Sequence, residues 1–395
     1  MIGFDLACSL ISGLPERTRT ELVPLARAAG RVLARDIVAG LDSPRHAVSA
    51  MDGYAVRDAD LMRLPARLRV VGCCFAGQPD VPVMPPGCCT RVFTGAPLPP
   101  GADRVVIQEH VRREGEDAFF EVPLGSGSHI RLKSSDFHAG ETLLVAGTRL
   151  DACAIVAAAA ADEGEVEVYS RPRVIVLGTG DELSAPGSAR FRAAAIPESV
   201  SFGAAAMAEQ WGAICVQRRC LPDDLAQLEC AAAEALEMAD VVIVTGGASV
   251  GEKDYAKTMF LPHGLELIFS KVAIKPGKPV WLGRAAGKLV LGLPGNPASA
   301  MVTARLFLAP LLLRLSGGDP AAALRWRLAT LAKALPSGGD RDTFARARWA
   351  EGRVMPLLDQ DSSAQRALAT AELLVRRGVD APALDTGEQV EVLDF

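Results

Sequence analysis

A chain of 395 residues has room for roughly two to three domains at about one per 100–200 residues. With 49% hydrophobic and 23% charged residues it reads as globular, and a formal net charge of −5 excludes general attraction to nucleic acid or an anionic membrane. Any anion site must therefore be local.

The N-terminal stretch MIGFDLACSLISGLPERTR carries Asp5 and no basic start, which is not a signal-peptide pattern. Residues 1–42 read mainly as helix, because RTELVPLARAAGRVLARDIVAG places Leu22, Leu25, Ala26, Val32 and Leu33 near one face. From about 43 to 138, short apolar runs such as RLRVVGCCFAG, DRVVIQEHV and DAFFEVPLG alternate with Pro and Gly clusters, the pattern of a small β-rich domain. Residues 139–170 give turn, helix and strand, and are grouped with 1–42 as one linking domain.

From Arg173 onward the pattern is regular. RVIVLGTG, AICVQRRC, ADVVIVTGG and KLVLGLPG read as strands, and SFGAAAMAEQW, DLAQLECAAAEALEMA and NPASAMVTARLFLAPLLLRL as helices. That alternation predicts a parallel, doubly wound sheet over 171–318, in which ligands gather at the carboxyl ends of the strands. MVTARLFLAPLLLRLSGG is cut by Arg305, Pro310 and Arg314 and is too short to span a bilayer, so a cytoplasmic protein is expected. Residues 319–395 read as short strands with turns, a small β domain. The nine cysteines lack C-x-x-C spacing and are expected to be buried thiols, and the five histidines show no ligand-like pair.

Several loops of the α/β region carry chemistry. GTGDELSAPG supplies Asp181 and Glu182, LPDDL supplies Asp223 and Asp224, and GASVGEKDY supplies Glu252 and Asp254. Such carboxylates either cap helices and face solvent, or hold a hard cation such as Mg²⁺ together with substrate phosphates. AIKPGKPVWLG stiffens Lys275 and Lys278 between prolines, where an oxyanion fits or a solvent-facing turn forms. GLPGNPASAMV opens a helix with Ser299 near its first turn, a second place for an oxyanion. In the early β region, SAMDGYAVRDAD places Asp52 in a turn and RVFTGAPLPPGAD places Thr94 in an open loop.

Taken in order, SAMDGYA, FTGAPLPPGAD, TGDEL, TGGASVGEKDY, IKPGKP and GLPGNPASA resemble the molybdopterin molybdenumtransferase family, which also includes the gephyrin E domain. The resemblance covers nearly the whole chain. It implies a multidomain α/β protein with a helical domain (1–42 and 139–170), a β-rich domain (43–138), a molybdopterin-binding α/β domain (171–318) and a β-barrel-like C-terminal domain (319–395). The implied reaction converts adenylyl-molybdopterin and molybdate to molybdenum-molybdopterin and AMP with Mg²⁺, in a homodimer whose site is shared between subunits. By the same resemblance Gly180, Asp181, Gly246, Gly247, Ser249, Gly251, Pro294 and Asn296 would bind the pterin nucleotide, and Glu182, Asp224 and Asp254 the metal. Lys275, Lys278, Ser299, Arg346 and Ser363 would hold molybdate, while Asp52, Thr94 and Asp136 would reach in from the other subunit.

The chain departs from the family pattern at IPESVSF, which has Glu198 and Val200 in place of an Asp-Ser-Asn type of segment. IRLKSSDF has Ser134 and Ser135 for Gly-Glu, and His46-Ala47 stands for Phe-Asp. A non-catalytic paralogue that binds molybdopterin or serves as a scaffold is the alternative these departures raise.

Overall fold

The computed structural model describes residues 1–15, 19–246 and 255–395. They fold into two compact units, one of residues 1–35, 146–151 and 167–395, the other of residues 36–145 and 152–166.

The larger unit is built on a six-stranded sheet. In spatial order its strands are Ile214–Leu221, Arg173–Thr179, Val241–Thr245, Lys288–Leu293, Trp281–Ala285 and Glu266–Ser270. The first four are mutually parallel, as the alternating pattern predicts, and Trp281–Ala285 runs antiparallel to both its neighbours, an insertion that the pattern does not announce. Side chains alternate across this sheet. Val174 and Val176 enter one core with the helices Val200–Gln210 and Pro297–Leu315, whereas Ile175 and Leu177 enter the other with Leu225–Met238. Both faces are covered, so the central strands are apolar throughout.

The run Pro297–Leu315 is long and apolar enough to cross a membrane by length and composition, with a mean hydropathy of 1.5, and 89% of it is buried within the protein. It stays helical past Pro310 because the turn before the proline, Ala304–Leu308, widens to π geometry and absorbs the missing amide donor.

The C-terminal strands Arg327–Thr330, Asp342–Ala350, Arg353–Pro356, Leu373–Arg377 and Gln389–Asp394 form a second sheet, to which Ile274–Lys275 adds an edge. A bridge between Leu331 and Val354 draws its two ends together, giving the barrel-like curl expected of the tail.

The N-terminus corrects the helical reading of residues 1–42. Among its described residues only Phe4–Ser12 is α-helix; Thr20–Pro24 is a strand, Leu25–Arg27 a single 3₁₀ turn, and Val32 and Leu33 bridge Arg149 and Val168. Pro24 and Gly30 break the helical path, and Leu22, assigned to the buried face, is exposed.

The smaller unit holds a six-stranded sheet of Arg104–Ile107, Gly53–Val56, Cys88–Val92, Ala66–Cys74, Asp117–Phe120 and Val111–Glu114, in that order. The cysteines of both units overturn the expectation of buried thiols. Cys74 and Cys89 are buried but Cys73 is exposed, because neighbours along a strand point to opposite faces; Cys153, Cys220 and Cys230 are exposed as well.

Candidate functional site at the strand ends

A cavity of about 840 Å³ opens at the carboxyl ends of the central strands of the larger unit. Its floor is made by three glycines. Gly246 has φ +95, and a Cβ there would lie 2.4 Å from the Thr179 carbonyl oxygen, so no other residue fits between these strand ends. A Cβ on Gly295 would lie 3.4 Å from Gly246 Cα, which brings the loop after Leu293 against the same point. On Gly180 a Cβ would fall 2.7 Å from Glu182 Oε2, so the bare glycine leaves the space into which that carboxylate turns back.

Charge is segregated across the cavity, and strand order explains how. Glu182 follows the strand Arg173–Thr179 and Asp223 follows Ile214–Leu221, so both carboxylates lie on the side of those strands, as does Glu198. Lys271 follows the edge strand Glu266–Ser270 and Lys278 precedes Trp281–Ala285, and Lys257 joins them by donating from Nζ to Ser270 Oγ at 3.3 Å. Between the two sides lie Thr245, Gly246 and the segment Pro294–Pro297.

The acidic side is internally tied. Asp181 accepts the Asp223 amide at 3.1 Å, joining two of the acidic loops named from sequence. Asp224 caps the helix Leu225–Met238 by accepting the Gln227 amide at 2.9 Å, and it is Asp223 rather than Asp224 that lines the cavity. Glu198 is buried and accepts the Ser201 amide at 2.7 Å and the Ser201 hydroxyl at 2.6 Å, so this departure from the family pattern secures a helix start. Val200, the other departure, also lines the cavity. Among the described residues no three His, Cys, Asp or Glu side chains are grouped closely enough to enclose a metal ion.

On the basic side, Lys278 lines the cavity and Lys275 does not. Lys275 is exposed on its short strand opposite Thr343, and the tight turn at Gly277, φ +104, separates the two lysines; a Cβ there would lie 2.2 Å from Thr303 Cγ2. Ser299 is buried in the first turn of its helix and is likewise outside the lining.

The C-terminal sheet contributes one wall. Asn296 donates to Ser362 Oγ at 2.9 Å and Ala298 N–H to Ser362 O at 3.0 Å, bringing Ser363 and Gln365 to the cavity. Arg346 stands behind this loop, only 1% exposed, with Nη2 donating to the Asp359 and Asp361 carbonyls at 3.2 and 2.9 Å. Its Nε and Nη1 are buried without a partner, and burial pulls its pKa below the usual arginine value. Ser363 donates both its amide and hydroxyl to Asp361 Oδ1, and these bonds hold the Asp361 carboxyl below its usual range.

Of the residues named from sequence, the cavity gathers Gly180, Glu182, Asp223, Gly246, Pro294, Asn296, Lys278 and Ser363, together with Glu198 and Val200 of the departing segment. Gly247, Ser249, Gly251 and Asp254 lie outside the described residues. In the smaller unit, Asp52 Oδ1 accepts both the amide and the hydroxyl of Thr94 at 2.8 Å, which lowers its pKa. Asp136 is exposed, its amide donating to Ser43 O at 3.0 Å. Lys257 and Lys271 are the charged site residues, among those described, that the sequence reading missed. Lys271 stands four positions before Lys275 in SKVAIKPGKP, and it reaches the cavity from a left-handed backbone conformation, φ +63, that no spacing rule reveals.

Three family profiles match the chain in order: MoeA N-terminal region (domain I and II) over residues 3–161, probable molybdopterin binding domain over 175–314, and MoeA C-terminal region (domain IV) over 328–395. A molybdopterin molybdenumtransferase from Haemophilus influenzae is 37% identical over 320 residues, 80% of this chain and 78% of that protein. Molybdopterin molybdenumtransferase 2 of Mycobacterium tuberculosis is 34% identical over 399 residues, 98% of each chain. The chain belongs to the molybdopterin molybdenumtransferase family. Its fold is the family's as well: the molybdopterin biosynthesis moeA protein of Pyrococcus horikoshii OT3 superposes over 100% of both chains with a TM-score of 0.85 at 27% identity. In this family member Asp224, named from sequence as a metal ligand, caps a helix outside the cavity lining, while its neighbour Asp223 lines the cavity.

Proposed function

We propose that the cavity binds adenylyl-molybdopterin and that the chain transfers molybdenum from molybdate to the pterin with release of AMP, assisted by Mg²⁺ on the acidic side. The observation that carries this reading is the segregation of Glu182 and Asp223 from Lys257, Lys271 and Lys278 across one cavity. A pyrophosphate needs a cation and molybdate needs ammonium groups. Keeping the two sets on opposite sides lets both ligands bind without the carboxylates and lysines neutralising each other. The relatives' name, molybdopterin molybdenumtransferase, supports a molybdopterin substrate and molybdenum as the element transferred.

The donor set fits Mg²⁺, which takes one or two carboxylates together with phosphate and water; Glu182, turned back over Gly180, and Asp223 would be those donors. Bound there, Mg²⁺ supplies charge neutralisation and polarisation of phosphorus. Gly246 and Gly295 leave backbone open to the approach of the phosphates, and Asn296, anchored by Ser362, fixes the third wall. Lys278, with Lys257 and Lys271, holds the oxyanion, and Arg346 adds its two unpaired donors on a small movement of the 359–363 loop. Lys275, Ser299, Gly247, Ser249, Gly251 and Asp254 belong to this reading on the family resemblance alone. So do a cytoplasmic location and a homodimer in which Asp52, Thr94 and Asp136 act in trans.

The test is incubation of the purified protein with adenylyl-molybdopterin, Mg²⁺ and molybdate, following AMP. Release of AMP that depends on both ions supports the transferase. Tight binding of the pterin nucleotide with no AMP favours the scaffold paralogue that Val200 and the Ser134-Ser135 pair raise.

A further inference from the structure

The smaller unit carries a stack of side chains that the reaction above leaves unused. Arg91 Cζ lies 5.1 Å from the Tyr54 ring centroid and 4.9 Å from that of Phe93. Phe75 in turn stacks on Phe93 with centroids 4.9 Å apart and planes inclined by 9°, and it ends the stack 56% exposed. An exposed phenylalanine is unremarkable by itself, but this one is held in place. Its amide donates to Gln78 Oε1 at 3.3 Å, Phe93 N–H donates to Cys74 O at 3.3 Å, and Arg91 is anchored through Nη1 to Gly53 O at 3.1 Å. The Ala76 methyl rests against Gly95, where an added Cβ would lie 3.5 Å away, so the Phe75 turn and the Thr94 turn form one surface. On that surface Asp52 uses Oδ1 for both Thr94 donors, which leaves Oδ2 for a ligand.

A pre-stacked aromatic face beside an ionised carboxylate suits a flat heterocycle whose edge carries adjacent N–H donors. A 2-amino-4-oxopyrimidine presents two such donors side by side, whereas adenine offers one amino group next to an acceptor. We propose that Phe75 and Asp52 form a binding site for the pterin ring of the substrate, its face on Phe75 and its amino edge on Asp52 Oδ2. This rests on the reading that the substrate is a pterin nucleotide. Thr94 keeps Asp52 ionised, as an acceptor for those donors must be.

The test titrates the full-length protein with free pterin by fluorescence, with lumazine, which lacks the 2-amino donor, and adenosine as comparisons. Pterin should bind more tightly than either. Phe75→Ala should weaken pterin binding by about 5- to 150-fold, the range for loss of one aromatic stacking partner, and Phe75→Trp should retain it. Asp52→Asn should erase the preference for pterin over lumazine, a change that general loosening of the turn would not produce. Unchanged pterin affinity in Phe75→Ala overturns the proposal; if that variant instead shifts in sedimentation, the stack belongs to an interface with a second copy. Failure of AMP release by the wild-type chain, with Phe75-dependent pterin binding intact, removes the transferase reading and leaves this one standing.

Discussion

Gly180→Ala separates a structural glycine from one that serves the cation. The added Cβ would lie 2.7 and 2.8 Å from the two Glu182 carboxylate oxygens and 2.9 Å from its Cδ, and it meets no backbone atom among its nearest neighbours. A flexible side chain can yield, so the fold should lose only about 1 kcal/mol, mostly from the glycine-favouring backbone at φ +154. Yielding means that the carboxylate withdraws by roughly 0.5–1 Å to regain ordinary contact. Mg²⁺ holds its oxygens at about 2.0–2.1 Å in near-octahedral geometry, and a withdrawal of that size takes Glu182 out of the shell. Disturbed metal ligands typically cost about 10–100-fold in affinity. The Mg²⁺ concentration for half-maximal AMP release should rise by that factor, and so should the dissociation constant for Mn²⁺ measured by its paramagnetic signal without substrate. A folded Gly180→Ala protein with wild-type dependence on both ions would refute the placement of the cation at Glu182.

Gly246→Ala should behave differently, because its Cβ meets the Thr179 carbonyl at 2.4 Å and backbone cannot yield; a loss of about 2–4 kcal/mol is expected in urea unfolding. Lys278→Gln should raise the molybdate concentration for half-maximal turnover about three- to tenfold, and Lys275→Gln should raise it less, since Lys275 is outside the cavity lining. Molybdate at about 100 times its dissociation constant should stabilise the wild-type protein by about 2.7 kcal/mol in a thermal melt, and Arg346→Met should lose much of that gain. Asp42 accepts the Ala139 amide at 2.9 Å and pairs with Lys133 at 3.0 Å, the amide being the larger cause of a pKa lowered to about 2. With the folded value below the unfolded one, its contribution is full above the ordinary carboxylate pKa of 3.8 and is lost as pH falls toward about 2; Asp42→Asn should flatten acid unfolding in that window.

The α/β body was legible because its strands and helices carry their own periodicity: each of the four parallel strands and the three long helices lies where the apolar pattern puts it. The first 42 residues were misread because Leu25, Ala26, Val32 and Leu33 satisfy a helical spacing that the pairings of Val32 and Leu33 with distant strands override. The acidic side of the cavity was visible as a set of loops but not to the residue. Whether Asp223 or Asp224 faces a ligand depends on which one the following helix takes as its cap, a choice made by backbone geometry at the turn. Lys271 was missed because it reaches the cavity from the edge strand Glu266–Ser270, which the βα alternation does not foretell, and Lys257 because it reaches over from the short helix Tyr255–Thr258 to Ser270.

The central claim is that one cavity holds a cation on one side and an oxyanion on the other. It is tested most directly by anomalous scattering from a crystal soaked in Mn²⁺ and tungstate, heavy counterparts of Mg²⁺ and molybdate. The account predicts a manganese peak against Glu182 and Asp223 and a separate tungsten peak against Lys278 and its neighbours Lys257 and Lys271. Tungsten at the carboxylate side, or manganese bound away from both Glu182 and Asp223, would contradict it.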